Sequence, residues 1–199
     1  MSAIALPDAH WLATAKPRYI DFGPDLTPAL GGPVQRVARM GSRYGIDIAL
    51  PRLDIDSARA WNAARKKARA TGSTLIITWP KAPAAGAIGS PLVNGASQAG
   101  TALVADGFTA GAVIQPDQPF SVTVSGRNYL YFTTDLVTAN GSGQATLPIA
   151  PMLRASPADN AALAFATPKI EGFLSGTTEE WDLDVLTTVG ISFTLTEIE

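Results

Sequence analysis

With 199 residues, 46% of them apolar, the chain can bury one full core or two small ones. Only 16% of residues are charged and the formal charge is −2, which excludes a self-repelling disordered chain and a broad polybasic surface. The absence of cysteine excludes disulfides, thiolate metal sites and cysteine nucleophiles.

The 18 glycines and 15 prolines are scattered, a pattern of many short strands joined by turns. Residues 1–30, with Pro7, Pro17, Pro24 and Pro28, are expected to form an irregular or edge-strand segment, or an arm. The run 34–51 reads as two strands about the turn Met40-Gly41-Ser42, with Tyr44, Ile46, Ile48 and Leu50 on one face. One short helix is predicted over about residues 56–71, capped by Asp56 or Ser57 and ended by Gly72. Its packed face carries Ala58, Trp61, Ala64 or Arg65, and Ala68. "STLIITWP" is a buried strand, and the Ala/Gly/Pro-rich stretch 81–90 is a place where two subdomains would divide. Asn94-Gly95 marks a tight turn, and from Gly111 onward the chain is β. In the last strand Ile191, Phe193 and Leu195 alternate with Ser192, Thr194 and Thr196. The expected fold is mainly β, about ten strands with a β-barrel or β-sandwich core and one packed helix. Residues 31–199 form a single β-rich domain, the subdivision near 81–90 left open.

Charge is unevenly placed. Residues 34–72 hold nine basic and three acidic side chains, whereas 170–199 hold seven acids and no Lys or Arg. Arg65, Lys66, Lys67 and Arg69 occupy the last turns of the predicted helix, where its dipole favours cations. Glu179, Glu180, Asp182 and Asp184 surround Trp181. An acid pair beside an aromatic is what a glycosidase uses, but alternating acids are also an ordinary solvated strand face, which is the favoured reading. Asp182 and Asp184 lack the loop of oxygen donors a calcium site needs. His10 is the one histidine and lies in the Pro-flanked N-terminal segment, a poor scaffold for a catalytic triad. Aromatics are too sparse for base stacking, so no nucleic-acid specificity is expected, nor any cofactor, metal or enzyme activity.

Gly141-Ser142-Gly143 raises the possibility of a phosphate loop. Such a loop needs a helix immediately after it, and "QATLPIAPML" with Pro148 and Pro151 cannot start one. The glycines therefore read as a hairpin tip in which Gly143 gives slack. Pro148 and Pro151 hold the returning strand off continued pairing, and Arg154 is left free to anchor the next turn.

Three separated segments carry a resemblance. "GGPVQRVARMGSRYGIDIALPRL", "GSPLVNGASQAGTALVADGF" and "GAVIQPDQPFSVTVSGRNYLYFTTDLVTANGSGQATLPIAPMLR" occur in the order seen in minor tail proteins of tailed bacteriophages. The likeness spans about residues 30–199. Tyr44 stands where that family usually has Trp, and Pro116-Asp117 where Gly-Asp is typical. The resemblance implies a virion structural protein of a siphovirus-like tail, made in the bacterial host cytoplasm. It would be a distal-tail or tail-tip subunit in a homo-oligomeric ring, six-fold or a multiple, touching other tail proteins. Alternatives are a head–tail adaptor and a carbohydrate- or receptor-binding β-sandwich that presents Trp79, Tyr129, Tyr131 or Trp181. The charge asymmetry would suit head-to-tail contacts between copies, pairing Arg65, Lys66, Lys67 and Arg69 with Glu179, Glu180, Asp182 and Asp184. The N-terminus lacks a signal peptide's basic start and long apolar run, and no apolar stretch approaches bilayer length, so a soluble protein without a membrane segment is expected.

Overall fold

The computed structural model describes residues 3–7, 14–183 and 188–198, among which the fold is mainly β with one helix. The first of two units is built from both ends of the chain. Its eight-stranded sheet contains β1 (Ala3–Ala5), β2 (Thr14–Ile20), β5 (Arg43–Ala49), β6 (Leu53–Asp54), β7 (Thr74–Thr78), β16 (Lys169–Leu174), β17 (Trp181–Leu183) and β18 (Thr188–Glu197). The main path runs β1-β7-β16-β18-β5-β2, so the two C-terminal strands β16 and β18 lie in its middle. Between β2 and β5 the chain makes a separate ribbon of β3 (Asp25–Leu26) and β4 (Gln35–Arg36).

The N-terminal segment, read as an irregular or edge-strand segment or an arm, supplies both sheet edges. β1 pairs in parallel with β7, and β2 pairs along its whole length with β5, from Thr14 opposite Ala49 to Ile20 opposite Arg43. Its prolines did not prevent this, because an edge strand needs donors on one side only; Pro17 sits within β2 opposite Ile46. The first of the two strands read at 34–51 shrinks to β4, which is exposed, since the alternation Val34–Arg39 has no core to face.

Helix α1 (Ile55–Thr71) starts one residue earlier than expected. Asp54 is the cap, accepting from the Ser57 N–H at 2.9 Å, and Gly72 closes the helix in the left-handed region at φ 63°. Ala58, Trp61, Arg65 and Ala68 are its buried residues, and Ala64 packs against the same core from a half-buried position. Trp61 lies with its ring centroid 6.2 Å from that of Phe193, and both belong to a core with Ile46, Ile48, Leu75, Ile77, Ile170, Ile191 and Leu195. Ile46 stands opposite Leu195 and Ile48 opposite Phe193, so the alternation read in both strands faces one core.

The second unit is a six-stranded, nearly closed barrel inserted between β7 and β16. It comprises β8 (Gly89–Val93), β9 (Ala102–Phe108), β11 (Pro119–Val124), β12 (Arg127–Thr133), β14 (Ala145–Ala150) and β15 (Leu163–Ala164). The order is β15-β11-β12-β14-β9-β8, and the two ends meet at a Leu92–Ala162 bridge, reinforced by Val93 N–H donating to the Ala161 carbonyl at 2.9 Å. β10 (Val113–Ile114) and β13 (Val137–Thr138) form a small ribbon on its side. Phe120 stacks on Phe165 at 4.8 Å and leans on Tyr131 at 5.9 Å in the barrel core. β11 and β12 meet at a two-residue turn, Ser125-Gly126, with φ of 50° and 79°, the positive pair a tight hairpin of right-twisted strands requires.

The chain therefore leaves the sheet through the stretch 80–88 and returns at 165–168. The two crossings are tied where the Trp79 N–H donates to the Pro168 carbonyl at 2.7 Å. The stretch 81–90 lies at the first crossing, and β16, β17 and β18 rejoin the first unit after the second.

A buried polar joint holds the units together. Glu197 at the end of β18 accepts from the amides of Tyr44 (2.8 Å) and Leu130 (2.9 Å) and from Arg154 Nη2 (2.9 Å). Arg154 is therefore not free for a turn; its guanidinium is buried over Tyr129 and Tyr131. Burial pushes the Glu197 carboxyl up, and Arg154 and the two amides pull against that. Beside this pair the Tyr44 hydroxyl donates to the Ala150 carbonyl at 3.1 Å, its acidity suppressed by burial. Glu171 accepts from Thr74 Oγ1 at 2.7 Å and from Asn128 N and Nδ2, both at 2.9 Å.

Candidate interaction surfaces

The basic and acidic clusters meet, but within one chain. α1 and the β16–β17 connection both flank β18, which brings Glu179 against the helix across 114 positions of sequence. Arg65 Nη2 pairs with Glu179 Oε2, and Arg69 Nε donates to Oε1 at 2.9 Å. The Arg65 side chain is 2% exposed and Glu179 15%. The head-to-tail contact expected of Arg65, Arg69 and Glu179 is thus corrected, because their charges are matched inside the subunit. Lys66 is also engaged locally, its Nζ 4.3 Å above the Trp181 ring. Lys67, Glu180 and Asp182 are exposed, and Asp184 lies outside the described residues, as does His10.

The same contacts bear on chemistry. Both Glu179 oxygens are held by guanidinium groups, so it is not poised to give or take a substrate proton. Asp47, in a cleft of about 330 Å³ with Thr14, Lys16 and Phe193, is bound by Arg18 at 3.3 Å and Thr194 at 2.7 Å. Among the described residues no three of His, Asp and Glu gather as a metal site, and no helix is long and apolar enough to cross a membrane. Of the aromatics considered for a glycan face, Trp79, Tyr129 and Tyr131 are buried and Trp181 alone is exposed.

The loop 140–144 is a closed turn. Asn140 N–H donates to the Gln144 carbonyl at 2.9 Å, and Asn140 Oδ1 accepts from the amides of Ser142 and Gln144. The strands on either side do not pair with one another: β13 pairs with β10, and β14 with β9 and β12. Gly143 is not slack. It sits at φ 72°, and a Cβ there would lie 2.3 Å from the Phe108 carbonyl oxygen. Pro148 stands inside β14 opposite Ala102 and does not end its pairing.

Two surfaces that sequence reasoning did not find are apolar and uncovered. The first is the ribbon over residues 21–40. Its base is fixed: Ser42 Oγ donates to Asp21 Oδ1 at 2.9 Å, and the Arg43 guanidinium lies 4.8 Å above Phe22. Arg36 joins its two arms by pairing with Asp21 and with Asp25 (3.0 Å). Yet Phe22, Leu26, Leu30, Val34 and Met40 are all exposed, Leu30 completely. Ribbons with ion-paired arms and an uncovered apolar side invite a partner. The second is a groove of about 420 Å³ between α1 and β17, lined by Ile55, Ala58, Ala63, Trp181, Leu183 and Val189, with Arg59 and Lys66 at its edge. Leu183 is 74% exposed there. The irregular spacing of these ribbon residues, interrupted by Pro24, Pro28 and Gly31-Gly32, hides them from any periodicity count.

No protein-family model matches this chain, and no curated protein matches it.

Proposed function

We propose that the chain is a structural subunit of a phage tail, assembling with copies of itself into a ring at or near the tail end. The observation that carries this is the ribbon over residues 21–40, a well-anchored projection whose large apolar residues are left exposed among the described residues. A monomer gains nothing from holding Leu30 and Val34 in water, whereas a ring subunit buries them on its neighbour. The ordered resemblance to minor tail proteins supports the same role. Its quoted residues do structural work here: Gln98 closes the 94–104 loop by bonding both the N–H and the carbonyl of Val104, at 2.7 and 2.9 Å. Arg154 completes the joint between the units.

The test is mass by light scattering after size exclusion, with electron-microscopy class averages of the same fractions. Rings of six subunits or a multiple are expected for the native chain, and a variant with Leu30→Asp and Val34→Asp should run as a folded monomer. A native chain that stays monomeric at the highest soluble concentration would refute the proposal. Antibody labelling of virions then separates the tail end from the head–tail junction. Binding of the monomer to a glycan array would favour the carbohydrate-recognition alternative, for which exposed Trp181 is the anchor.

A further inference from the structure

We infer that Asn140-Gly141 is a self-modification site, at which the folded chain converts Asn140 to aspartate and isoaspartate with loss of ammonia, while the other such pair, Asn94-Gly95, is held inert. Of the five asparagines, these two alone precede glycine. The reaction needs only water. The Gly141 nitrogen gives its proton to solvent and attacks Asn140 Cγ. A C–N bond forms, the Cγ–Nδ2 bond breaks, and Nδ2 takes a proton and leaves as ammonia. Water then opens the succinimide at either carbonyl, giving aspartate or isoaspartate with no change of oxidation state. Glycine matters because no side chain shields the attacking nitrogen, and this holds at both sites, where a Cβ would meet nothing within 4 Å. The difference between the sites lies in their hydrogen bonds.

At Asn140 the bonds favour ring closure. Asn140, Gly141 and Ser142 are exposed, so water and base reach them. Among the described residues nothing accepts from the Gly141 N–H, which leaves the nucleophile free. The amides of Ser142 and Gln144 both donate to Asn140 Oδ1 at 2.9 Å. That oxygen takes up negative charge when Cγ becomes tetrahedral, so two donors already stand where the charge develops. At Asn94 the bonds oppose the reaction. The Gly95 N–H donates to Asp159 Oδ1 at 2.8 Å, and losing its proton would set an amide anion against a carboxylate. Asp159 is held in place through its other oxygen by Asn160 Nδ2 at 2.7 Å. Gln98 Nε2 fixes the same turn by donating to the Asn94 and Gly95 carbonyls at 2.9 and 3.1 Å. The modification has a structural consequence. Isoaspartate adds a methylene to the main chain inside a turn closed by Asn140 N–H to Gln144 and by Gly143 N–H to the Asn140 carbonyl, both at 2.9 Å. That turn seats Gly143 on Phe108, whose N–H donates to the Gly143 carbonyl at 3.1 Å, so reaction at Asn140 loosens the barrel between β9 and β14.

The test follows the peptides carrying Asn94 and Asn140 by mass spectrometry while the full chain is incubated in mildly alkaline heavy-oxygen water, folded and in guanidinium chloride. In the unfolded chain the two sites should react at similar rates. In the folded chain Asn140 should react at least as fast as it does unfolded, taking up heavy oxygen and yielding both aspartate and isoaspartate, and Asn94 should be slowed at least ~tenfold. Asp159→Ala should speed Asn94 about tenfold in the folded chain and leave Asn140 unchanged. Gly141→Ala, whose Cβ meets no other atom, should keep the native melting temperature and slow Asn140 at least ~tenfold by shielding the nitrogen. A folded-state rate at Asn140 below the unfolded one would overturn the proposal, because the closed turn would then be protecting the site. Equal rates at the two sites in the folded chain, or an Asn94 rate unmoved by Asp159→Ala in a variant shown to be folded by circular dichroism, would overturn the contrast between them.

Discussion

Replacing Arg154 by Met tests whether the two units are joined through charge. Met keeps much of the stem volume but removes the guanidinium that bonds Glu197 at 2.9 Å and the Leu130 carbonyl at 3.3 Å. At that separation and an effective dielectric of about 20, the gross attraction is about 6 kcal/mol. Desolvation of Arg154 is recovered in the variant, but Glu197 is left buried and uncompensated, so the net loss should be about 3–5 kcal/mol. For a chain of this size that is a fall in melting temperature of roughly 6–20 °C. The loss should also depend on pH. Burial already holds the Glu197 carboxyl above its usual 4.5, and without Arg154 it moves further up. A folded-state value above the unfolded one gives stability that is present at low pH and lost as pH rises through the folded value. The deficit of the variant should therefore be smaller at about pH 5 than at about pH 8. Urea unfolding of both proteins at the two pH values measures this. Adding Glu197→Gln removes the stranded charge at the cost of one amide that loses its acceptor, about 1–3 kcal/mol, so the double variant should be more stable than Arg154→Met at the higher pH. Additive losses in the double variant, or a deficit that shrinks as pH rises, would refute a charge-based joint.

Three more outcomes follow from local geometry. Gly143→Ala should cost more than ~1 kcal/mol in urea unfolding, because its Cβ meets the Phe108 oxygen in a left-handed backbone, whereas Gly141→Ala, with open space around it, should be close to neutral. Trp61→Ala should cost about 3–5 kcal/mol, since the side chain is fully buried between α1 and the sheet. Asp54→Ala should lower the melting temperature slightly through loss of the helix cap. Bonds from Ser57 hold the Asp54 carboxyl below its usual range, so its contribution is present above the ordinary carboxylate value and fades as pH falls through the depressed one. The difference between Asp54→Ala and the parent should fade with it.

What could be read from the sequence follows the reach of the forces involved. Helix α1 was legible because its Gly72 stop and its 58–61–65–68 stripe are local, although its cap is Asp54 and not Asp56 or Ser57. The faces of β5 and β18 were legible because alternation against one core leaves a period of two. Which strands pair was not, because β16 reaches back across more than 90 positions to β7 and β18 across more than 140 to β5, and nothing local records those distances. The same blindness misplaced the charge clusters: composition showed opposite signs at 34–72 and 170–199, but only the return of the chain turns Arg65 and Glu179 into one internal pair. Arg154 was visible as the end of a resembling segment, and its partner, 43 residues on, was not. The exposure of the ribbon's apolar residues was hidden as well, since Pro24, Pro28 and Gly31-Gly32 break any regular spacing among them.

The placement of β16 and β18 in the middle of the sheet also orders events on the ribosome. Both edges, β1 and β2, and their neighbours β7 and β5 lie within residues 3–78, but the strands that must lie between them are made only from residue 169 onward. At a synthesis rate of about 5–20 residues per second, these strands wait several seconds with their inner edges bare. The inserted barrel, contiguous from 89 to 164, has all its strands by then and can close first. A chain cut short between residue 165 and the start of β18 has every barrel strand but lacks the strand that joins the sheet's two halves and the carboxylate that ties the barrel down. Closure of the whole sheet is thus tied to the arrival of β18, long after its edges and the barrel have been made.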